Sequence, residues 1–216
     1  MPGKPYAVVR VEEIPQVESS AAFGISPVRL HFGINSFGIN AYTAARAGKQ
    51  VIEEHDELGF GAGRHEELYF VARGHALFEL DGTAVDAPAG TLVYVRDPAV
   101  RRGAVAKTDD TAVLVAGGVA GQPFAPSPWE AWLAAKPFLD AGEPERGIDI
   151  FVEALDRHQD NPNVLYNLAC YESLAGRRDD AIRHLIEAVE HDPRTKDWAQ
   201  SDSDFDAIRD DPRFPA

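Results

Sequence analysis

The sequence contains one cysteine, one methionine and no apolar run approaching the roughly 20 residues that a membrane-spanning helix needs. A single thiol, Cys170, forms no internal disulfide, which agrees with a reducing compartment. The first residues, MPGKPYAVVRVEEIP, lack the continuous apolar stretch of a signal peptide. These absences predict a cytoplasmic protein that does not enter a membrane.

Basic residues are also scarce, with 21 lysines and arginines against 35 acidic residues and a formal net charge of -14. This charge repels phosphate backbones, so nucleic acid is not an expected partner. Core-forming residues are present in the usual share, since 44% of the chain is hydrophobic. A chain of 216 residues with this composition predicts one large or two modest globular domains.

Up to about residue 122 the sequence pattern predicts β-structure. Short runs rich in β-branched and aromatic residues, separated by glycine turns, are ELYFVARG, HALFELDG and GTLVYVRD. Asp81 and Gly82 predict a tight hairpin, because glycine supplies the positive φ that such a turn requires. Many short strands of this kind are typical of a sandwich or barrel. The proline-rich stretch GQPFAPSPWE then predicts a linker at 123–128.

From Trp129 onward the apolar pattern is helical, and it repeats after 34 residues, as the pair Gly142 and Gly176 illustrates. This is the tetratricopeptide period, in which two antiparallel helices meet through small residues. The pattern predicts a helical domain over 129–216, with repeats at about 128–161 and 162–195.

The helical domain needs further features to be complete. Pro137 predicts a kink or a shortened helix in the first repeat. Two repeats leave exposed ends, and Phe205 and Ile208 at helical spacing predict a capping helix within 196–216. Cys170 is predicted to be a structural thiol inside a repeat helix. Three histidines are predicted to lie on the polar surface: His158, His184 and His191.

The stretch HEELYFVARGHALFELDGTAVDAPAGTLVYV resembles the conserved core of the cupin superfamily. Glu67, followed by six residues and Gly74, is similar to the second half of the first cupin motif, and Pro88 and Gly90 are similar to the start of the second. The resemblance implies a small double-stranded β-helix barrel over 1–122. The whole chain resembles bacterial proteins that join a cupin to C-terminal tetratricopeptide repeats, which implies an α+β, multidomain fold.

The cupin resemblance implies a possible metal site, since a metal cupin supplies a His-x-His pair, a Glu and a later His. Here only Glu67 stands at its motif position, and the last position falls on Arg101. A shifted register would bring together His55, His65 and Glu67, a two-histidine, one-carboxylate set suited to Fe, Mn, Ni or Zn. The alternative leaves His65 at the mouth of the strand and His55 in solvent.

Arg101 bears on this choice, because a permanently charged guanidinium cannot coordinate a cation and repels one nearby. If Arg101 points inward, its expected partner is Glu67. Alternatively, Arg101 and Arg96 clamp a carboxylate or phosphate on a small ligand, or the whole RDPAVRR stretch is a solvated loop. Tyr69, in phase with Glu67, is predicted to line the barrel pocket or to pack in its core.

Two functions of different classes remain open. The first is a cupin that binds or senses a small molecule, joined to repeats that dock a protein segment or a second subunit. The second is a metal-dependent cupin enzyme of dioxygenase or isomerase type, acting on a small polar substrate. The altered ligand set favours the first. Cupins commonly pair through their outer strands, and a two-repeat array exposes apolar surface, so a homodimer is predicted.

Overall fold

The computed structural model describes residues 6–19 and 23–215, and these residues combine antiparallel sheets with α-helices. The mixed α+β class expected from the sequence is therefore confirmed. The first and last residues of the two predicted domains, 1–5 and 216, lie outside the described part of the chain. Among the described residues, no helix combines the length and apolarity needed to cross a bilayer.

The chain divides into two units. The first combines the chain up to Leu58 with Gly63–Ala125, and the second combines Gly59–Ala62 with the chain from Pro126 onward. The short segment at 59–62 thus belongs to the helical unit, although it lies in the sequence between two strands of the first unit.

The described part of the first unit contains ten strands: β1 (Val17–Glu18), β2 (Gly24–Ser26), β3 (Gly38–Ala44), β4 (Gln50–His55), β5 (Glu66–Arg73), β6 (His75–Leu80), β7 (Thr83–Pro88), β8 (Leu92–Val95), β9 (Arg102–Ala106) and β10 (Thr111–Gly118). A short helix, α1 (Val28–Phe32), precedes β3. The strands form two antiparallel sheets, one in the order β1-β2-β3-β10-β5-β8 and one in the order β4-β9-β6-β7.

Alternation along the strands places one face of each sheet in a shared core. On β5, Tyr69 and Val71 are buried in this core, whereas the intervening Phe70 is exposed. The four-stranded sheet contributes Phe78 and Ala104 from its own inner face. The interior between the two sheets is therefore where an inward-facing polar side chain must find a partner.

The predicted hairpin between β6 and β7 is confirmed. Leu80 pairs with Thr83, so the loop consists of Asp81 and Gly82 alone. Both residues have positive φ, 48° and 78°, as a two-residue turn of this kind requires.

The described part of the second unit contains five helices: α2 (Trp129–Asp140), α3 (Pro144–Arg157), α4 (Pro162–Leu174), α5 (Arg178–His191) and α6 (Arg194–Ser201). Helices α3 and α5 begin 34 residues apart, at Pro144 and Arg178. Their assignment as tetratricopeptide repeats stays a prediction. Helix α2 continues through Pro137 and ends three residues later, so the proline lies near the helix end.

Two details of the helical unit differ from expectation. In place of a capping helix that contains Phe205 and Ile208, the chain forms a short helix, α6, and then a 3-10 turn at Ser203–Phe205. Phe205 and Ile208 are nevertheless buried in the helical core, as a cap requires. The surface prediction is wrong for His184, which is buried with Nδ1 2.6 Å from Glu172 Oε2. A pattern within one helix does not reveal the carboxylate that the neighbouring helix brings to it.

Gly147 on α3 allows a close approach between helices. A Cβ atom at this position would lie 2.1 Å from ring carbon Cε1 of Tyr171, a ring that also packs against Phe151. We expect Gly147→Ala to lower the free energy of unfolding of the helical unit by about 1–3 kcal/mol, because overpacking outweighs the gain in helix propensity.

Urea unfolding followed by circular dichroism measures this effect. Gly59→Ala is the matched control, since no atom lies within 4 Å of the added Cβ. Equal stability of the two variants would contradict the packing argument.

Candidate functional site

Five polar side chains converge inside the first unit, four of them from the two sheets and Glu57 from the loop after β4: His55, Glu57, Glu67, Tyr69 and Arg102. Glu67 and Tyr69 lie two apart on β5 and therefore share its inner face. His55 ends β4 and pairs in register with Arg102, the first residue of β9. The polar cluster thus bridges the six-stranded and four-stranded sheets.

Arg102 is the centre of the polar cluster, and its side chain is 0% exposed. Its Nη2 and Nε donate to Glu67 Oε2 at 2.7 and 3.1 Å. Its Nη1 donates to the carbonyls of Pro98 and Val100 at 3.1 and 2.8 Å. A guanidinium has five N–H groups, so these contacts use most of its donors and leave little for a ligand.

Glu67 is held ionised by its neighbours. Burial acts to raise the pKa of Glu67, but His55, the Tyr69 hydroxyl and the Arg102 charge outweigh it and lower the pKa to about 2. Tyr69 donates its hydroxyl proton to Glu67 Oε2 at 2.5 Å. Burial raises the pKa of Tyr69 well above its ordinary value, so the phenol stays a neutral donor.

His55 connects the polar cluster to solvent, with its side chain 35% exposed. Its Nδ1 lies 2.8 Å from the carbonyl of Glu53, which makes Nδ1 the donor there and turns Nε2 toward two carboxylates. Nε2 lies 3.7 Å from Glu67 Oε2 and 3.9 Å from Glu57 Oε1. These distances are too long for direct hydrogen bonds but short enough for ion pairing.

The charge balance around His55 favours its protonated form. Burial lowers the pKa of His55, but the contacts with Glu67 and with the Glu53 carbonyl raise it by more, so the pKa lies above the ordinary histidine value. The polar cluster therefore holds an imidazolium and a guanidinium beside ionised Glu67 at slightly acid pH.

Glu57 is fixed by the loop that follows it. Its Oε2 accepts the backbone N–H groups of Gly63 and His65 at 2.9 and 3.2 Å. Nine residues, 58–66, separate Glu57 from Glu67 in the sequence. Counting back from Glu67 at a fixed motif spacing therefore misses Glu57, which lies two residues beyond the end of β4 at His55.

The predicted pairing of Glu67 with Arg101 is wrong. Arg101 lies on the outer side of the sheet, where its Nη2 and Nε donate to Glu54 Oε1 at 2.7 and 2.9 Å. Arg96 is also exposed, with its guanidinium 5.8 Å from the centre of the Tyr94 ring. Arg102 makes the inward pair instead, because a shift of one residue turns a strand side chain to the opposite face.

The predicted histidine pair does not assemble either. His65 is buried, and its ring lies 5.8 Å from the ring of Phe124, so it offers the polar cluster only its backbone N–H. The three potential metal-ligand atoms that do lie within 4.8 Å of one another come from His55, Glu57 and Glu67.

One imidazole and two carboxylates suit Fe, Mn or Zn by number and type of ligand. The donor set does not fit a resident metal ion by charge, however. The hydrogen bonds that described residues donate to Glu67 all end on Oε2, and Arg102 supplies two of them. A divalent ion held by Glu67 would lie beside a buried guanidinium that cannot lose its charge.

A second group of potential ligands lies in the helical unit and consists of Cys170, Asp202 and Asp204. Burial and the nearby carboxylates raise the pKa of the Cys170 thiol well above its ordinary value, so it remains protonated and a poor metal ligand. The hydroxyl of Tyr166 donates to Asp202 at 2.8 Å. The arrangement is that of a buried polar contact between α4 and the chain that follows α6.

No protein-family model matches this chain, and no curated protein matches it. Among solved structures, it is similar to KdgF from Halomonas sp. (17% identity, covering 49% of this chain and 88% of that chain, TM-score 0.41). It is also similar to a cupin protein from Bacteroides fragilis (21%, 58% and 93%, TM-score 0.39).

A third similar structure is a candidate sugar phosphate isomerase from Acidithiobacillus ferrooxidans (19% identity, covering 45% of this chain, TM-score 0.39). The match spans 59% of that protein, less than two thirds of its length. These likenesses concern the fold and no more.

The buried ion pair predicts a strong double-mutant signature. We expect Glu67→Gln and Arg102→Met each to lower the free energy of unfolding by roughly 3 kcal/mol, because each strands a buried partner, while the double change recovers much of the loss. Urea unfolding of the three variants measures it. Glu54→Gln and Arg101→Met, which break the exposed pair, are the controls and should leave the midpoint unchanged. Similar behaviour of Arg101→Met and Arg102→Met would refute the assignment.

The raised pKa of His55 predicts a pH dependence of known sign. A group that binds its proton more tightly in the folded state stabilises that state fully below its unfolded pKa of about 6.5. This contribution is lost as the pH rises through the folded pKa. The melting temperature of the native chain should therefore fall more between pH 6 and pH 9 than that of His55→Gln, measured by thermal melts with a chelator present. Parallel curves for both proteins would contradict it.

Proposed function

We propose that the first unit binds a small polar molecule at the cluster of His55, Glu57 and Glu67, without a resident metal ion. The observation that supports this proposal is the buried Arg102, since its permanent charge already compensates Glu67. A carboxylate that is compensated in this way has no need of a metal ion to remain ionised.

The spacing within the polar cluster supports a ligand. Nε2 of His55 points at two carboxylates but lies 3.7 and 3.9 Å from them, about half an ångström or more beyond a hydrogen bond. A water placed among these groups would accept from Nε2 and donate to both carboxylates, and a ligand hydroxyl would accept from Nε2 and donate to one of them, which the protein atoms alone do not achieve. The exposed edge of His55 gives such a molecule a path from solvent.

The pKa values of Glu67, Tyr69 and His55 suit recognition of a ligand by hydrogen bonds, and they also allow acid–base chemistry. Glu67 is ionised and Tyr69 is neutral across the ordinary pH range, so both have fixed hydrogen-bonding roles. Of Glu67, Tyr69 and His55, His55 is the one that changes charge near neutrality. Any proton transfer to a bound molecule would pass through His55 Nε2.

The second candidate function is a metal-dependent enzyme on a small polar substrate. It is favoured by one observation, the approach of three potential ligand atoms to within 4.8 Å of one another. Protein purified without an affinity tag and analysed for metals decides between the two candidates. One equivalent of Fe, Mn, Ni or Zn, lost in His55→Ala and retained in His65→Ala, would establish the metal site and refute our primary proposal.

Ligand binding is tested by thermal melts of the native chain with a panel of small sugars, carboxylates and amines. We expect at least one compound to raise the melting temperature, and His55→Ala to abolish that response, because a ligand stabilises only the state that binds it. Arg101→Met is the matched control and should keep the response, since Arg101 lies on the outer side of the sheet. If the response were lost only in Arg101→Met, the ligand would bind on the outer side of the sheet and the proposed site would be wrong.

We further propose that the protein works in association, through a protein segment bound by the helical unit and through a second copy of the chain. Support for the second copy comes from the outer face of the six-stranded sheet. Four large apolar side chains there are each more than a third exposed: Leu68, Phe70, Leu92 and Tyr94. They pair across β5 and β8, so the apolar surface is continuous and reaches the edge strand.

Light scattering at micromolar concentration checks the homodimer. A twofold arrangement would bury this apolar surface against its own copy, so Leu92→Lys, at the most exposed of the four positions, should produce a monomer. A monomeric native chain would remove the dimer proposal. Localisation in the cytoplasm stays a prediction.

A further inference from the structure

Asn40 is a buried polar residue whose side-chain oxygen has no hydrogen-bond partner among residues 6–19 and 23–215. It lies on β3 with a relative exposure of 7%. Within the described part of the chain, Asn40 Oδ1 is one of two buried side-chain polar atoms left in this state. A buried acceptor without a partner costs free energy, so its retention calls for an explanation.

The strand register places Asn40 inside the first unit, in line with the polar cluster. Asn40 pairs with Val115, and Val115 pairs with Tyr69, so the three side chains share the inner face of the sheet. Two strand spacings separate Asn40 from Tyr69, about 10 Å between Cα atoms. Val115 stands between them in the same row, so Asn40 and Tyr69 face the interior from either side of it.

Burial increases along this inner face from one end to the other. Gly117 and Glu67, paired in the first row, are partly exposed. Val115, in the row of Asn40, is 8% exposed, and Val113, in the row beyond, is 0% exposed. Asn40 is therefore in the second row from the end at which Glu67 meets solvent.

At the end of the inner face where Glu67 meets solvent, most of the unused hydrogen-bonding positions are acceptors. The hydrogen bonds from described residues to Glu57 and Glu67 all end on Oε2, which leaves each Oε1 as an acceptor. Asn40 Oδ1 is a further acceptor. Arg102 has given most of its donors to protein oxygens, so the donors on offer are His55 Nε2 and the two N–H groups of the Asn40 amide, against acceptor lone pairs on three oxygens.

An acceptor-rich site selects against anions and for molecules that donate several hydrogen bonds. A carboxylate or phosphate would face two carboxylates with Arg102 already neutralised by Glu67. The ring of Phe124 adds an apolar wall, since it lies 2.9 Å from where a Cβ of Gly38 would be, in the row of Glu67. An apolar ring face edged by hydroxyl groups matches both features.

We infer that the ligand of the first unit is a neutral, polyhydroxylated molecule of monosaccharide size, and that Asn40 accepts a hydrogen bond from one of its hydroxyl groups. This inference rests on the proposed binding function and specifies its ligand. It differs from the anion clamp that the sequence suggested for Arg96 and Arg101, which lie outside the polar cluster.

The test uses the full chain with a chelator present and two sets of probes. The neutral set is D-xylose, D-ribose, D-glucose and myo-inositol, and the anionic set is malate, citrate and inorganic phosphate. Thermal melts identify the stabilising probe, and isothermal titration measures its affinity. We expect a neutral probe to give the largest stabilisation.

Asn40→Leu removes the acceptor and keeps the side-chain volume. It should weaken binding of the neutral probe about ten-fold, the value of one neutral hydrogen bond. The melting temperature without probe should be unchanged or higher, because an unpartnered acceptor has been removed. Asn35→Leu, at an exposed asparagine, is the matched control and should not change affinity. If Asn40→Leu does not fold, Asn40→Ala serves for the same affinity measurement.

Several results would overturn the inference. Equal affinity of native and Asn40 variants for the neutral probe would show that Asn40 makes no contact with it. No stabilisation by any neutral probe would refute the ligand class. Stabilisation by an anionic probe that is lost in His55→Ala would refute the class while leaving the proposed binding site intact. Loss of stability without probe in Asn40→Leu, with unchanged affinity, would assign Asn40 a structural role.

Discussion

The ion pair between Arg102 and Glu67 is the interaction on which the rest of the polar cluster depends. It joins the two sheets, since Glu67 lies on β5 and Arg102 on β9. A fully buried guanidinium is tolerated only when its N–H groups and its charge are both satisfied. Here two carbonyls and one carboxylate meet those needs. His55, the Tyr69 hydroxyl and the Arg102 charge together lower the pKa of Glu67. Ionised Glu67 in turn raises the pKa of His55, and it adds to burial in raising the pKa of Tyr69.

The sequence was sufficient to predict the β-to-helix order, the hairpin at Asp81 and the inward position of Glu67, because these follow from local periodicity and turn chemistry. It was not sufficient to choose between Arg101 and Arg102. Strand β9 reads RGAVA, with small alanines inward and the larger Val105 outward, which is opposite to the usual apolar alternation. Without that alternation, the phase of the strand is set by its partner strands and not by its own residues.

Glu57 was missed for a different reason. A motif count assumes a fixed number of residues between ligand positions. The loop after Glu57 makes that number larger, yet it brings the chain back to the polar cluster before Glu67. The N–H groups of Gly63 and His65 both bind Glu57, so the loop is tied to the carboxylate that precedes it. From the sequence, His65 is a natural candidate for a metal ligand, because it is a histidine two residues before Glu67. In the fold its contribution is a backbone N–H, which any residue except proline would supply.

Replacing a metal ion by an arginine changes how a site recognises its ligand. A metal with open coordination positions attracts almost any oxygen donor and so tolerates varied surroundings. A guanidinium whose N–H groups are already engaged offers no such position, and recognition then depends on the direction of the remaining hydrogen bonds. Under the proposed binding function, selectivity in the first unit comes from the spacing of a few acceptors and donors. In that proposal the Asn40 oxygen contributes more binding free energy than an acceptor already bonded to the protein. It has no hydrogen-bond partner among the described residues, so a ligand hydroxyl would supply its first hydrogen bond.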